Sequence, residues 1–381
     1  MPCWPWSAGK RLRVGIIGCV TLNALTPPTL LQAFPAEHDL YLYEVPYQDY
    51  ASFQGLADGP CTLRTVHLDT PESIDAACRM IEQDHIDVLL VAHPDHEQRL
   101  RLFSRATTPC LVMLCTGSYP SFHSKASFAL YCQPRVDCRM EGHSLFSAYT
   151  GKAIPSEPCV HQPPFCDATG LGTTANTPWR ERSPYMFFHG RLRKLADSPL
   201  LCLLWDLLDA DPDLTFGFAG QGQEDAERIL ASAAARGHSL RVSYLGVFEQ
   251  PFGRASSGWQ ELERNLQRAR LAPNPWPIGG AMSRMEAYLC GTPTVHLGMR
   301  DDLSPFDVTD QTLIDIPSLA VPTGTARTLE EYAQLCRRCL YDETFADELT
   351  RQQLQTAEQL TNGQRWWRIF FNHIQEWRRG L

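Results

Sequence analysis

The stretch Asn274–His296, "NPWPIGGAMSRMEAYLCGTPTVH", decides how the chain is read. A Pro-rich segment leads to Gly279 and Gly280. Met282, Met285 and Leu289 follow at i, i+3 and i+7, then Gly291-Thr292-Pro293 and a β-branched strand. The spacing predicts a helix over 281–290 with one apolar face. The first amides of a helix lack intrahelical partners and carry partial positive charge. Glycines just ahead of them let a ligand approach closely. Together they suit an anion, most naturally a phosphate. Gly279, Gly280, Ala281, Met282 and Ser283 are therefore candidates for a diphosphate, with Asn274 opening the loop and the Ser283 hydroxyl alongside. Glu286 would repel a phosphate that it faced, so it is assigned to the hydroxyls of a ribose or sugar. Tight packing of an ordinary strand-loop-helix is the rival reading of the same glycines.

The surroundings repeat the pattern. "RVGIIGCV", "DLYLYEVP", "DVLLVA" and "CLVMLC" read as strands, the last two as continuous apolar runs covered on both faces. "PESIDAACRMIEQDHI" and "HEQRLRLFSRA" read as helices between them. This is a βαβ series and hence a doubly wound parallel sheet. Six prolines between Ile154 and Tyr185 then interrupt it, and proline removes backbone donors, so 151–184 is expected to be a connector. From Tyr185 the alternation resumes through "YMFFHG", "LLCLLWDLLDADP", "LTFGFAGQG", "EDAERILASAAARG", "LRVSYLG" and "WQELERNLQRA". Helices are expected over 329–341, 343–360 and the Trp-rich end. The expected architecture is α/β with two Rossmann-like domains, 11–150 and 185–362, and a helix at 363–381 packing between them. A ligand would bind in the cleft at the carboxyl ends of the strands.

Composition narrows the function classes. Apolar residues make up 44% and charged residues 20% of 381 residues, which is globular. A net charge of −9 argues against a duplex-DNA binder, which needs a basic face. The N-terminal apolar run is too short to span a bilayer and lacks a clean cleavage site, so a cytoplasmic protein is expected. Fourteen cysteines fit that compartment as small buried hydrophobes. "CRRC" (Cys336 to Cys339) stands alone without a second pair, which argues against a zinc site.

With these blocks in place, the sequence resembles glycosyltransferase family 41, which comprises the O-GlcNAc transferase catalytic region and the bacterial adhesin N-glycosyltransferases. "NPWPIGG" resembles the bacterial Asn-Pro-Phe-Pro-Phe-Gly-Asn run, and "YLCGTPTV" the Ala-Gly-Thr-Pro-Met-Val run. "RLRKLADSPLLCLLWDLL" resembles the Met-Lys-Leu-Asn segment, which puts Lys194 at the donor-phosphate lysine. "LTFGFAGQG" puts Gln221 at a donor position, and Gly190 closes the neighbouring strand. "TTPCLVMLCTGSYPSFHS" resembles the Gly-His-Pro-Ala-Thr-Thr-His-Ser turn, with His123 at the second histidine and Ser118 in place of the first. "SPFDV" puts Asp307 at the acidic position beyond the motif helix, where it would accept from sugar hydroxyls. The likeness runs over about residues 87–345. It departs at Gly280, Ala281 and Met282, which replace an Asn-Thr-Asn type run, and at Ser118.

The resemblance implies a GT-B fold, an inverting transfer and a UDP-sugar donor, UDP-glucose first, with no metal and no further cofactor. Lys194 and the helix amides would stabilise the leaving diphosphate. His123 would orient the acceptor or take its proton. His93, His96 and His143 are further acceptor-side candidates. "DADPD" (Asp209 to Asp213) sits at a helix end and reads as a solvated turn, not as a metal motif. A protein or peptide side chain, asparagine among them, is the expected acceptor. A small molecule, glycolipid or nucleic-acid base, and a noncatalytic or epimerase-like nucleotide-sugar binder, remain as alternatives.

Overall fold

The computed structural model describes residues 11–18, 28–46, 61–92, 96–115, 127–131, 138–141, 144–147, 159–162, 165, 176–248, 257–276, 280, 282–297 and 319–379. The chain divides into two compact units, Met1–Asp167 with Leu360–Leu381, and Ala168–Gln359.

The first unit contains β1 (Arg13–Gly18), α1 (Pro28–Gln32), β2 (Asp39–Glu44), β3 (Cys61–Thr65), α2 (Pro71–Gln83), β4 (Val88–Val91), α3 (His96–Arg105), β5 (Cys110–Cys115), β6 (Phe128–Tyr131), a β7–β8 hairpin (Cys138–Glu141, Ser144–Ser147) and β9 (Cys159–His161). Seven strands form one parallel sheet in the order β3-β2-β1-β4-β5-β6-β9. Alternation sorts the side chains onto its two faces. Ile17, Leu89 and Val91 meet Ile74, Ala77 and Ile81 of α2 and Leu102 and Phe103 of α3. Thr70 and Ser73 close a capping box at the start of α2, with Pro71 in its first turn.

The second unit contains β10 (Ser183–His189), α4 (Arg193–Ala196), α5 (Leu200–Ala210), β11 (Thr215–Ala219), α6 (Gln223–Ala235), β12 (Val242–Tyr244), α7 (Ser257–Arg268), β13 (Ala269–Leu271), α8 (Met282–Leu289), β14 (His296–Leu297), β15 (Thr325–Ala326), α9 (Leu329–Tyr341) and α10 (Glu343–Leu360). Four strands run parallel in the order β12-β11-β10-β13, and β14 pairs parallel with β15. The Ala272 amide donates to the Pro293 carbonyl at 2.9 Å, which ties the end of β13 to the approach to β14.

The final helix α11 (Gly363–Arg378) packs on the first unit. Its Trp366, Trp367, Phe370 and Ile374 share a core with Val14, Ile16, Val88 and Leu90, the sheet face opposite α2 and α3. Trp367 Nε1 donates to the Leu30 carbonyl at 2.8 Å, and Gln162 Nε2 donates to the Trp366 carbonyl at 3.1 Å. The tryptophans are core anchors.

Three expectations change. Cys159–His161, inside the segment read as connector, is strand β9 and pairs with β6. Three residues are too few to show a period among prolines. Cys61–Thr65 forms an edge strand, and Ala269–Leu271 forms β13 directly after α7. The motif helix α8 is buried on most sides: Arg284, Met285, Glu286, Ala287 and Tyr288 are all buried and Leu289 is half-buried, so it is no surface helix with one apolar stripe. Cys336 and Cys339 lie fully buried on α9 as core residues, and burial pushes both thiols far up. Among the described residues no group of three His, Cys, Asp or Glu is placed to hold a metal, and no helix is long and apolar enough to cross a membrane.

Candidate functional site

The strand ends of the second unit carry two interlocked loops. Gly190 follows β10 and Gly220 follows β11, each with φ near +140°, a region that suits glycine alone. A Cβ on Gly220 would lie 1.7 Å from the Gly190 carbonyl oxygen, so the two backbones approach as closely as glycine permits. The Gly190 amide donates to Ala219 at 3.1 Å, the Leu192 amide to Gln221 at 3.0 Å and the Gly220 amide to Gly246 at 2.9 Å. This lacing fixes the segment that leads into α4 and Lys194. Lys194 is half-buried, and its ammonium is held below the ordinary lysine value, first by burial and then by the charge of Arg191. Such a cation recovers favourable interaction when an anion arrives.

The approach to α8 is held from below. The Asn274 amide donates to the Tyr332 hydroxyl at 3.2 Å, and that hydroxyl donates to the Asn274 carbonyl at 3.1 Å. Ser198 Oγ donates to the Trp276 carbonyl at 2.6 Å, and the Trp276 ring meets Tyr332 edge-on at 4.7 Å. Within this frame the Asn274 side chain turns back and accepts from the Gly280 amide through Oδ1 at 2.8 Å. A Cβ on Gly280 would overlap Ser283 Oγ at 1.9 Å, so the serine hydroxyl occupies the space that glycine leaves. Asn274 is a framework residue of the loop: its oxygen is committed to Gly280.

Glu286 lies on the buried side of α8. His189, the last residue of β10, donates from Nε2 to Glu286 Oε2 at 2.6 Å, and both residues are buried. The imidazole stacks on Phe187 with ring centroids 5.8 Å apart and planes within 7°. The carboxylate therefore sits at the carboxyl end of the central strand with one oxygen engaged. In open α/β sheets this is where ligands bind.

The fold has counterparts among solved structures. An O-GlcNAc transferase of Thermobaculum terrenum, in a point-mutant form, superposes with a TM-score of 0.70 at 18% identity, covering 100% of this chain and 70% of that one. The lipopolysaccharide outer core galactosyltransferase WaaB superposes at 0.60 with 11% identity, covering 96% and 99% of the two chains. HepE of Anabaena, in complex with UDP and glucose, superposes at 0.57 with 10% identity, covering 96% and 100%. This is the GT-B fold. No family model matches the chain, and no curated protein matches it in sequence.

Within the GT-B frame, the residues predicted from sequence fall into three groups. Gly190, Lys194, Gln221, Asn274, Gly280, Ser283 and Glu286 are described and lie on the loops after β10 and β11 or on the approach to α8 and α8 itself. Gln221 is exposed and accepts from Leu192 through its backbone. His96 and Met282 begin α3 and α8, and their side chains lie outside the described set. His93, Ser118, His123, His143, Gly279, Ala281 and Asp307 lie outside the described residues. Two further residues stand beside these. His189 has no local signal, because a histidine ending an apolar strand looks like a strand residue and its partner is 97 positions away. Arg191 is exposed beside Lys194 and carries a second positive charge. The run "HGRLRK", three cations after a strand-ending glycine, was the available signal.

Proposed function

We propose that the chain is a UDP-sugar-dependent glycosyltransferase of the family 41 type, which transfers a hexose to a protein or peptide side chain with inversion and without a metal. The observation that carries this is α8. Its approach is folded back on Gly280 by Asn274, and Glu286 is seated at the end of β10 with one carboxylate oxygen engaged by His189. With the Gly280 amide engaged by Asn274, the first amides of α8 itself and the Glu286 carboxylate suit a diphosphate beside a hydroxylated ring. The neighbours crystallised with UDP and glucose, and the O-GlcNAc transferase, support the donor and acceptor class.

In this reading the acceptor nucleophile attacks the anomeric carbon as the bond to the β-phosphate oxygen breaks, and UDP departs with the bonding pair. Lys194, Arg191 and the amides at the start of α8 stabilise the growing negative charge. Glu286 accepts from ribose hydroxyls through Oε1, and Asp307 accepts from the sugar. His123 serves the acceptor side, taking the proton that the acceptor loses on attack. A neighbouring fold bound to UDP and DNA keeps a nucleic-acid acceptor in view, but a net charge of −9 favours the protein acceptor.

The test is a melting series with UDP, GDP and dTDP in excess EDTA. A ligand at a hundredfold excess over its dissociation constant adds about 2.7 kcal/mol of stability. UDP should raise the melting temperature with EDTA present. No UDP-dependent rise, or one abolished by EDTA, counts against the proposal. Mass spectrometry of peptide acceptors incubated with UDP-glucose then tests transfer.

A further inference from the structure

Building on the donor reading above, we infer that His189 is a positioning residue that sets the selectivity of the site for a ribonucleoside diphosphate over its 2′-deoxy analogue. The juxtaposition that carries it is the bond from His189 Nε2 to Glu286 Oε2 at 2.6 Å, between two buried residues on different elements.

Three features make this more than a packing contact. First, the imidazole is fixed. It lies parallel to the Phe187 ring at 5.8 Å, and Phe187 itself is fully buried with Trp259 and Leu262 of α7. Second, a carboxylate offers several acceptor sites on two oxygens. Holding Oε2 leaves Oε1 in one orientation, and a glutamate otherwise loses substantial rotamer freedom when it is ordered by a ligand. Ordering it beforehand shifts that cost from binding to folding, which is preorganisation. Third, His189 directly precedes Gly190, and Gly190 is laced to the β11 loop. The residue that orients the hydroxyl acceptor is thus the same one that starts the loop carrying Arg191 and Lys194. A site that bonds a hydroxyl rejects the analogue lacking it, because its own polar group is left unpaired. The 2′-hydroxyl is the atom on which that discrimination turns.

The experiment measures binding of UDP, 2′-deoxy-UDP and inorganic diphosphate to the full chain by titration calorimetry, with melting temperatures in parallel. Wild type, His189→Leu and His189→Gln are compared. Wild type should prefer UDP over 2′-deoxy-UDP by on the order of tenfold or more, as expected for one buried hydrogen bond to a charged group. In His189→Leu that ratio falls toward one, while diphosphate binding stays within about twofold, since no phosphate contact is removed. His189→Gln places an amide donor near the same carboxylate and restores most of the ratio. A purely structural role would weaken all three ligands together and would not be rescued by glutamine. If His189→Leu fails to fold, His189→Gln and Glu286→Gln carry the test: the first keeps the ratio and the second loses it. An unchanged ratio in His189→Leu, or in Glu286→Gln, overturns the inference and leaves the donor reading standing. A wild-type protein that binds diphosphate but neither nucleotide removes the donor reading and this inference with it.

Discussion

A single methyl group at Gly220 tests whether the two strand-end loops are interlocked as described. Gly220→Ala puts a side chain at φ near +140°, which costs about 1–3 kcal/mol for a non-glycine residue. The new Cβ also lies 1.7 Å from the Gly190 carbonyl, a backbone atom that cannot rotate away. The β10 loop must therefore retreat. The bonds from Gly190 to Ala219 and from Leu192 to Gln221 then weaken, at about 0.5–1.5 kcal/mol each. The expected loss is roughly 2–6 kcal/mol from these terms. Gly237→Ala is the matched control. Its φ is also positive, at +79°, but nothing lies within 4 Å of the added carbon. It should cost only the left-handed penalty of about 1–2 kcal/mol. Calorimetric melting reads the difference, at roughly 2–4 °C per kcal/mol for a unit of this size. UDP affinity should also fall by about tenfold or more in Gly220→Ala alone, because Arg191 and Lys194 ride on the displaced loop. If Gly220→Ala melts within about 2 °C of Gly237→Ala and binds UDP equally well, the close approach is not a feature of the protein.

Lys194→Ala should leave melting nearly unchanged and lower turnover by about 10²–10³-fold, the usual effect of removing one donor to a developing charge. Near-wild-type turnover in the folded variant rejects the role. Because burial and Arg191 hold the Lys194 pKa below its ordinary value, the free protein loses this ammonium earlier as pH rises. UDP affinity should therefore decline in the alkaline range before an ordinary lysine would titrate, with proton uptake on binding there, and Lys194→Arg should remove that decline. A flat alkaline profile in wild type contradicts it. Trp367→Ala should destabilise the first unit by about 3–5 kcal/mol, from cavity formation around a fully buried ring. Circular dichroism melting that shows less than about 1 kcal/mol would mean the helix is not part of that core.

Sequence alone carried most of the local elements. α9 and α10 have the bounds their periodicity gives, because Thr328 caps the first through the Glu331 amide and Asp342 separates the two. The apolar runs at β1, β4 and β5 are strands because continuous burial on both faces leaves no other use for them. The helix start after Gly280 is legible because the apolar spacing begins there, and the turn after β10 because glycine supplies the positive φ at Gly190. What tertiary structure decided was everything that depends on long-range pairing. Strand β9 is a strand only because β6 lies beside it, which three residues among prolines cannot announce. Helix α11 covers the first sheet, with Trp367 bonded to Leu30 across 337 positions, since apolar aromatic spacing says that a helix must be buried but not against what. The pairing of His189 with Glu286 belongs to the same class. Each residue alone reads as a strand end and a helix carboxylate, and only packing of β10 against α8 brings a donor within 2.6 Å of the acid. Local propensity is written in neighbouring residues, whereas partner choice is fixed by which faces are left to bury together.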